Sequence, residues 1–250
     1  MEITVVIPTY NRYVLLKRAI TSLYNQTYQP KEIIVVDDGS TDDTFQIKND
    51  FPEILYIYQE NRGVSAARNA GIEKAGCEWI AFLDSDDEFH PKKLQKQVIF
   101  HQKNPHILMS YTAERWIRNG KEVKVPKKYR KIGKDAFVEN LSYCNIAPSS
   151  VLLHKNILDD VGLFDENLEV CEDYDMWLRI TQKYEVGLID EKLINKYAGH
   201  DEQLGFRKNM DKIRITVLGK LMKNCETQQN RELLQRELNE KKGKISKLYS

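Results

Sequence analysis

Apolar residues in the first third of the chain fall into short runs broken by at most one polar residue, with helically spaced apolar residues between them. Ile3 to Ile7, Ile33-Ile34-Val35-Val36, Ile54 to Tyr58 and Cys77 to Leu83 are such runs, and each predicts a buried strand. Leu15, Leu16, Ala19, Ile20 and Leu23 repeat at helical spacing and predict a helix over Val14–Tyr24. A short helix is expected over Thr41–Lys48, with Ser40 as its N-cap, and a helix of small residues over Val64–Ala75. Fully apolar strands separated by helices imply a parallel sheet covered on both faces. Ligands of such sheets bind beyond the carboxyl ends of the strands. Pro8-Thr9-Tyr10, Asp37-Asp38 and Asp84-Ser85-Asp86 all stand at strand ends, so the predicted topology collects them on one rim.

The pattern changes after residue 90. A helix is expected over Pro91–Lys103, and a hairpin over Leu108–Val125 with Asn119-Gly120 as its turn. Short strands are expected at Ser149–His154, Val186–Ile189 and Leu193–Tyr197. Met176, Trp177, Ile180 and Tyr184 mark an amphipathic helix over Glu172–Tyr184. From Phe206 onward the pattern is helical and basic, with Ile213, Val217, Leu218 and Leu221 on one face. There is no internal repeat and no low-complexity linker.

Charge refines this division. Hydrophobic content of 41% with 30% charged residues is that of an ordinary globular chain, and a net charge of +1 gives no overall case for nucleic acid. Residues 207–250, however, hold 12 Lys/Arg against 5 Asp/Glu, so a basic tail follows an acidic body. The apolar stripe and basic charge of that tail suit docking on the body, pairing with a second copy, or peripheral contact with an anionic membrane. It is expected to fold as helices and to be dispensable for donor binding. Four cysteines without CxxC spacing argue against a zinc site and a disulfide framework and fit a reducing cytosol. No apolar stretch approaches the about 18 residues of a membrane span, and the chain enters a strand almost at once, without a signal-peptide pattern. The expected location is cytoplasmic, with peripheral contact at the inner membrane face as a variant.

The candidate chemistry lies in the acidic run Asp84-Ser85-Asp86-Asp87. Carboxylates crowded at a strand end repel one another, and a hard divalent cation relieves that while leaving coordination places for phosphates. In an extended Asp-x-Asp both carboxylates point to one side. A carboxylate at the end of the second strand, in Asp37-Asp38-Gly39-Ser40, can accept from an imide N–H or a ribose hydroxyl. The ring of Tyr10 can stack on a base. Alone, each of these motifs is equally a turn, a helix cap or a packing residue.

Together, Val6-Ile7-Pro8-Thr9-Tyr10-Asn11-Arg12, the Asp-Asp-Gly-Ser-Thr-Asp run from Asp37, Asn61 to Asn69 and Phe82 to Asp87 closely resemble family 2 glycosyltransferases of the GT-A fold over roughly residues 1 to 200. The resemblance implies an α/β nucleotide-diphospho-sugar transferase fold with a mainly parallel central sheet flanked by helices and, here, a helical C-terminal extension. It divides the chain into a catalytic domain, 1–206, with a nucleotide-sugar half (1–105) and an acceptor half (106–206), followed by the extension, 207–250. It implies inverting transfer of a hexose-like sugar from a nucleotide-diphosphate donor, most simply UDP-linked, to a carbohydrate or lipid-linked hydroxyl, with Mn²⁺ or Mg²⁺. Bacterial surface polysaccharide or glycolipid assembly is the family-level setting.

By position, Tyr10 and Asp38 would hold the base, and Pro8 and Thr9 would line its pocket. Arg12, Arg68 and Ser85 would lie with the donor, Asp84 would take the ribose and Asp86 the metal. A further match at Gly162 to Glu166 and Cys171 to Arg179 resembles the family's acceptor-side motif. There Asp173 would be the general base, with Glu172 and Asp175 as rivals, and Glu172 and Trp177 would face the acceptor. His200 resembles a late histidine that ligates metal or touches diphosphate, and imidazole favours Mn²⁺ over Mg²⁺. Two other readings are a catalytically degenerate nucleotide-sugar-binding module and a nucleotidyltransferase. The second normally carries a glycine-rich phosphate loop after the first strand, and Pro8 to Arg12 contains no glycine.

Overall fold

The structure is a computed structural model and describes residues 1–131, 133–197 and 210–248. Strand and helix alternate as expected at the start: β1 Ile3–Thr9, α1 Tyr13–Tyr24, β2 Glu32–Asp38, α2 Ile47–Asp50, β3 Leu55–Gln59, α3 Val64–Lys74 and β4 Trp79–Phe82. The short β5 Glu88–Phe89 and α4 Lys93–Lys103 follow. The hairpin of β6 Met109–Arg118 and β7 Lys121–Val123 turns at Asn119-Gly120, where both residues have positive φ, 50° and 72°. Next come α5 Ala136–Leu141, β8 Leu152–His154, α6 Asn156–Val161, α7 Glu172–Lys183, β9 Gly187–Tyr197, α8 Met210–Lys223 and α9 Gln228–Leu248.

One sheet runs through both halves in the order β3-β2-β1-β4-β8-β6-β9-β5, with β7 paired to β6. The block β3-β2-β1-β4 is parallel. Beyond it β8 is antiparallel to β4 and β6, β9 runs parallel to β6, and β5 is antiparallel to β9. The parallel sheet expected from the apolar runs therefore describes the first half, and the second half is mixed. The two strands expected at 186–189 and 193–197 are one strand, β9, whose register against β6 shifts around Ala113. A bulge absorbs the extra residues and keeps the ladder continuous across exposed Asp190 and Glu191.

A second local expectation is also corrected. The segment after β2 begins as a 3₁₀ turn, Asp43–Gln46, capped by Asp42, whose carboxylate accepts from Thr44 N–H at 3.0 Å. Ser40 is not the cap. Its hydroxyl accepts from the backbone N–H of Asn11 at 2.8 Å and joins this loop to the end of β1.

Both sheet faces are covered. α1 and α4 bury Leu16, Ile20, Leu23, Leu94 and Val98 on one side, and α3, α6 and α7 bury Ala67, Ile72, Ile157, Met176, Trp177 and Ile180 on the other. α3 lies close enough to β1 that a Cβ on Gly71 would come within 2.3 Å of Val6 Cγ1. Its small residues let the helix approach the sheet, and its one long inward side chain, Arg68, reaches the site. A third cluster packs α8 and α9 onto α5 and α7 through Val217, Leu218, Leu221, Leu234 and Leu238 against Phe137, Leu141, Tyr174 and Leu178. The apolar stripe of the tail is thus covered by its own chain. Among the described residues no helix is long and apolar enough to cross a membrane.

Candidate active site

The carboxyl ends of β1 and β4 meet the first turns of α3 and α7 around a cavity of about 370 Å³. Pro8, Arg12, Arg68, Asp84, Ser85 and Asp86 line it, and so do Glu172 and Asp173 from a segment more than 80 residues further along the chain.

The acidic loop after β4 is held from both sides. Arg12 Nη1 pairs with Asp86 Oδ2 at 3.2 Å, and Arg18 Nη2 donates to the Asp86 carbonyl at 2.6 Å. Ser149 Oγ accepts from Asp84 N–H at 3.1 Å and donates to Asp87 Oδ2 at 2.7 Å. Burial, and after it the negative charge of Asp86, holds the Asp87 carboxyl well above its ordinary range. Arg68 is the central cation. Its guanidinium reaches Asp84 Oδ1 and Glu172 Oε1, each at 2.8 Å, and so couples the end of β4 to the start of α7. Burial opposes its charge, but Asp84 and Glu172 together keep it more basic than an ordinary arginine.

α7 begins abruptly. Cys171 has φ 64°, a left-handed conformation uncommon outside glycine, and places three acidic residues in the first helical turn. The structure separates the three candidate bases. Glu172 is buried and paired to Arg68, and burial, then the charge of Asp173, raises its pKa. Asp175 is buried and paired to Arg179 at 2.8 Å, away from the cavity. Asp173 is half-buried, faces the cavity, and has no arginine partner among the described residues. Cys144 lies beside it, its thiol pushed well up by burial and then by the Asp173 charge.

Other predicted residues fall elsewhere. Asp38 is buried, accepting from Gln59 Nε2 at 2.7 Å, Arg62 N–H at 2.9 Å and Gly63 N–H at 2.8 Å, so its carboxylate ties the loop before α3 to the end of β2. Tyr10 stands 47% exposed beyond β1, and Thr9 is buried. Trp177, expected at the acceptor, is fully buried instead, with ring centroids 6.5 Å from Phe82 and 6.0 Å from Phe164. It is a core residue because α7 turns this face towards the sheet. His200 lies outside the described residues.

Several wall residues are absent from the motif reading: Glu114, Trp116, Tyr129, Lys196 and, from α8, Met210 and Arg214. Lys196 is kept charged against its burial by Glu114, Asp87, Asp84 and Asp173, and so offsets repulsion among the cavity's carboxylates. The available signal was a charged residue inside a strand pattern, at Glu114 on β6 and Lys196 on β9.

The donor set for a cation is one of hard carboxylate oxygens. Among the described residues no group of three or more His, Cys, Asp or Glu side chains is gathered that could hold a metal ion by itself. Asp84 and Asp86, which line the cavity, could offer a divalent cation one or two carboxylates, the number used where substrate phosphates complete the coordination.

The mixed sheet with helices on both faces matches the GT-A fold, and sequence comparison places the chain among glycosyltransferases. The family described as glycosyl transferase family 2 matches residues 4–162. The chain belongs to this family of glycosyltransferases. It is 35% identical over 196 residues to an uncharacterized glycosyltransferase of Rickettsia felis, covering 77% of this chain but 32% of the relative, so it spans about a third of that protein. It is 31% identical over 186 residues to the Escherichia coli UDP-Glc:alpha-D-GlcNAc-diphosphoundecaprenol beta-1,3-glucosyltransferase WfaP, covering 72% of this chain and 70% of WfaP. Among solved structures, S. aureus TarS 1-349 in complex with UDP-GlcNAc superposes with a TM-score of 0.76 at 20% identity, over 96% of this chain and 71% of that one. The mannosyltransferase PcManGT from Pyrobaculum calidifontis, in complex with GDP-Man and Mn²⁺, superposes with a TM-score of 0.71 at 18% identity, over 95% and 69%.

Proposed function

We propose that the protein transfers a sugar, with inversion, from a UDP-linked donor to a hydroxyl of a saccharide or lipid-linked acceptor in bacterial surface polysaccharide or glycolipid assembly, and that Asp173 is the general base. The observation that carries this reading is the position of Asp173. It is the one acidic residue of the first turn of α7 that faces the cavity of Asp84 and Asp86 without an arginine partner among the described residues. UDP is favoured by the donor in the name of WfaP and by the UDP-GlcNAc bound to TarS.

Asp173 takes the proton from the acceptor hydroxyl as that oxygen bonds to C1 of the donor sugar. The bond from C1 to the diphosphate oxygen breaks, and its electron pair leaves with UDP. Asp86 would hold Mn²⁺ or Mg²⁺, and the cation, when bound, neutralises charge developing on the diphosphate. Arg68 fixes Asp84 and Glu172 around the donor end, and Arg12 pairs with Asp86 beside it. His200, if it reaches the same cation, would favour Mn²⁺.

The test is a UDP titration with and without Mn²⁺, paired with turnover of UDP-sugars. Asp173→Asn is expected to bind UDP normally and to lose transfer by about 10²–10⁴-fold. Asp86→Ala is expected to lose the effect of Mn²⁺ on UDP affinity. Normal turnover in Asp173→Asn would remove it as base.

A further inference from the structure

The cavity has a wall that the donor reading leaves unused. It is a continuous series of rings ending in a cation. The ring centroid of Trp116 lies 5.6 Å from that of Tyr129, and Tyr129 lies 6.0 Å from Tyr143. The Arg214 guanidinium lies 5.6 Å from the Tyr143 ring and 5.7 Å from that of Tyr174. Trp116, Tyr129 and Arg214 all line the cavity that contains Asp173.

The wall is held by pairing among its own side chains. Trp116 Nε1 donates to Glu114 Oε2 at 2.8 Å, and Lys131 Nζ donates to Glu114 Oε1 at 2.6 Å. The Glu114 and Lys131 side chains are 9% and 3% exposed, so a buried ion pair holds the plane of the indole. Arg214 is 7% exposed; its Nη1 donates to Asp211 Oδ1 at 3.2 Å, and its Nε–H has no hydrogen-bond partner among the described residues. A guanidinium carries five N–H donors in a planar fork suited to the paired oxygens of phosphate or carboxylate. A flat aromatic face suits the C–H face of a pyranose, whose hydroxyls point outward to polar groups.

We propose that this wall is the acceptor subsite and that it selects an anionic pyranoside, with the sugar ring on Trp116 and Tyr129 and its phosphate or carboxylate on Arg214. The proposal rests on the reading of Asp173 as base, which places the attacking hydroxyl in the same cavity. It also makes α8, in the C-terminal extension, part of the acceptor site.

The test titrates three sets of sugars into the full chain, with and without saturating UDP and Mn²⁺. These are the 1-phosphates of glucose, galactose and N-acetylglucosamine, the corresponding methyl uronides, and the neutral methyl glycosides. At least one anionic sugar is expected to bind tenfold or more tightly than its neutral counterpart, and whether it is a phosphate or a uronide identifies the anion. Arg214→Gln should erase the preference for the anion, and Arg214→Lys should keep part of it. Trp116→Ala should weaken anionic and neutral sugars alike, with recovery in Trp116→Phe. UDP affinity should stay unchanged in all four variants. A neutral sugar bound as tightly as its anionic partner, a preference that persists in Arg214→Gln, or no sugar binding at all would overturn the proposal. Failure of the unaltered protein to bind UDP would overturn the donor reading instead, since the titration without UDP still decides the acceptor wall.

Discussion

Arg68 shows how one side chain links packing to chemistry. It comes from a helix most of whose other buried residues are small, is almost fully buried, and pairs with two carboxylates from segments far apart in sequence. Removing one partner of a buried ion pair leaves uncompensated charge and costs about 3–5 kcal/mol. Arg68→Met is therefore expected to lower unfolding stability by about that amount, and adding Glu172→Gln to it should recover part of the loss. Urea unfolding of the two variants checks this, and a midpoint unchanged in Arg68→Met would show that the pair is not structural. The sequence placed Arg68 in a glycine- and alanine-rich motif, but not the partnership with Glu172, which requires α3 and α7 to meet. The same meeting separates the three acidic residues that open α7. Glu172 and Asp175 each acquire an arginine, which local sequence does not disclose, while Asp173 stays at the cavity.

At the scale of single elements, α4 carries an acid-sensitive device beneath the sheet. His101 is buried, with Nδ1 2.9 Å from the Ile107 carbonyl and Nε2 2.9 Å from Ser110 Oγ. Burial depresses its pKa from 6.5 to about 4. A depressed folded pKa means that the unfolded chain takes up the proton first. Stability from this group is complete above about pH 6.5 and is lost as pH falls towards about 4. Thermal melts across that window should fall more steeply for the parent than for His101→Gln, and parallel curves would argue against a buried neutral imidazole. Element positions were otherwise largely readable from the sequence, because burial imposes period 2 or 3.6 on apolar residues. Ser40 was misread because a hydroxyl beside a turn can serve a cap or a neighbouring loop, and only the position of Asn11 decides between them. β9 was misread as two strands because a bulge breaks alternation without breaking the ladder.

For the whole molecule, the C-terminal helices complete the body. α8 and α9 cover Phe137, Leu141, Tyr174 and Leu178, and buried Lys241 donates to the Ser142 carbonyl at 2.9 Å and pairs with Glu237 at 3.2 Å. Exposing four such side chains costs up to about 6–12 kcal/mol, which is comparable to the about 5–15 kcal/mol of a whole domain. A chain ending at residue 206 is therefore expected to lose cooperative melting. Calorimetry showing a transition within a few degrees of the full chain would count against a structural role for these helices; UDP titration of the same shortened chain tests the separate expectation that the tail is dispensable for donor binding. The sequence by itself determined the family, the parallel half of the sheet and the rim of strand-end carboxylates, because those follow from local periodicity and short motifs. Tertiary structure decided which acidic residue stays available, that Trp177 belongs to the core, and that Glu114, Trp116, Lys196 and Arg214 wall the cavity. Charge pairing and shared burial between segments about 100 residues apart leave no periodic or motif signal in the chain, and they exist only once the helices and strands have met.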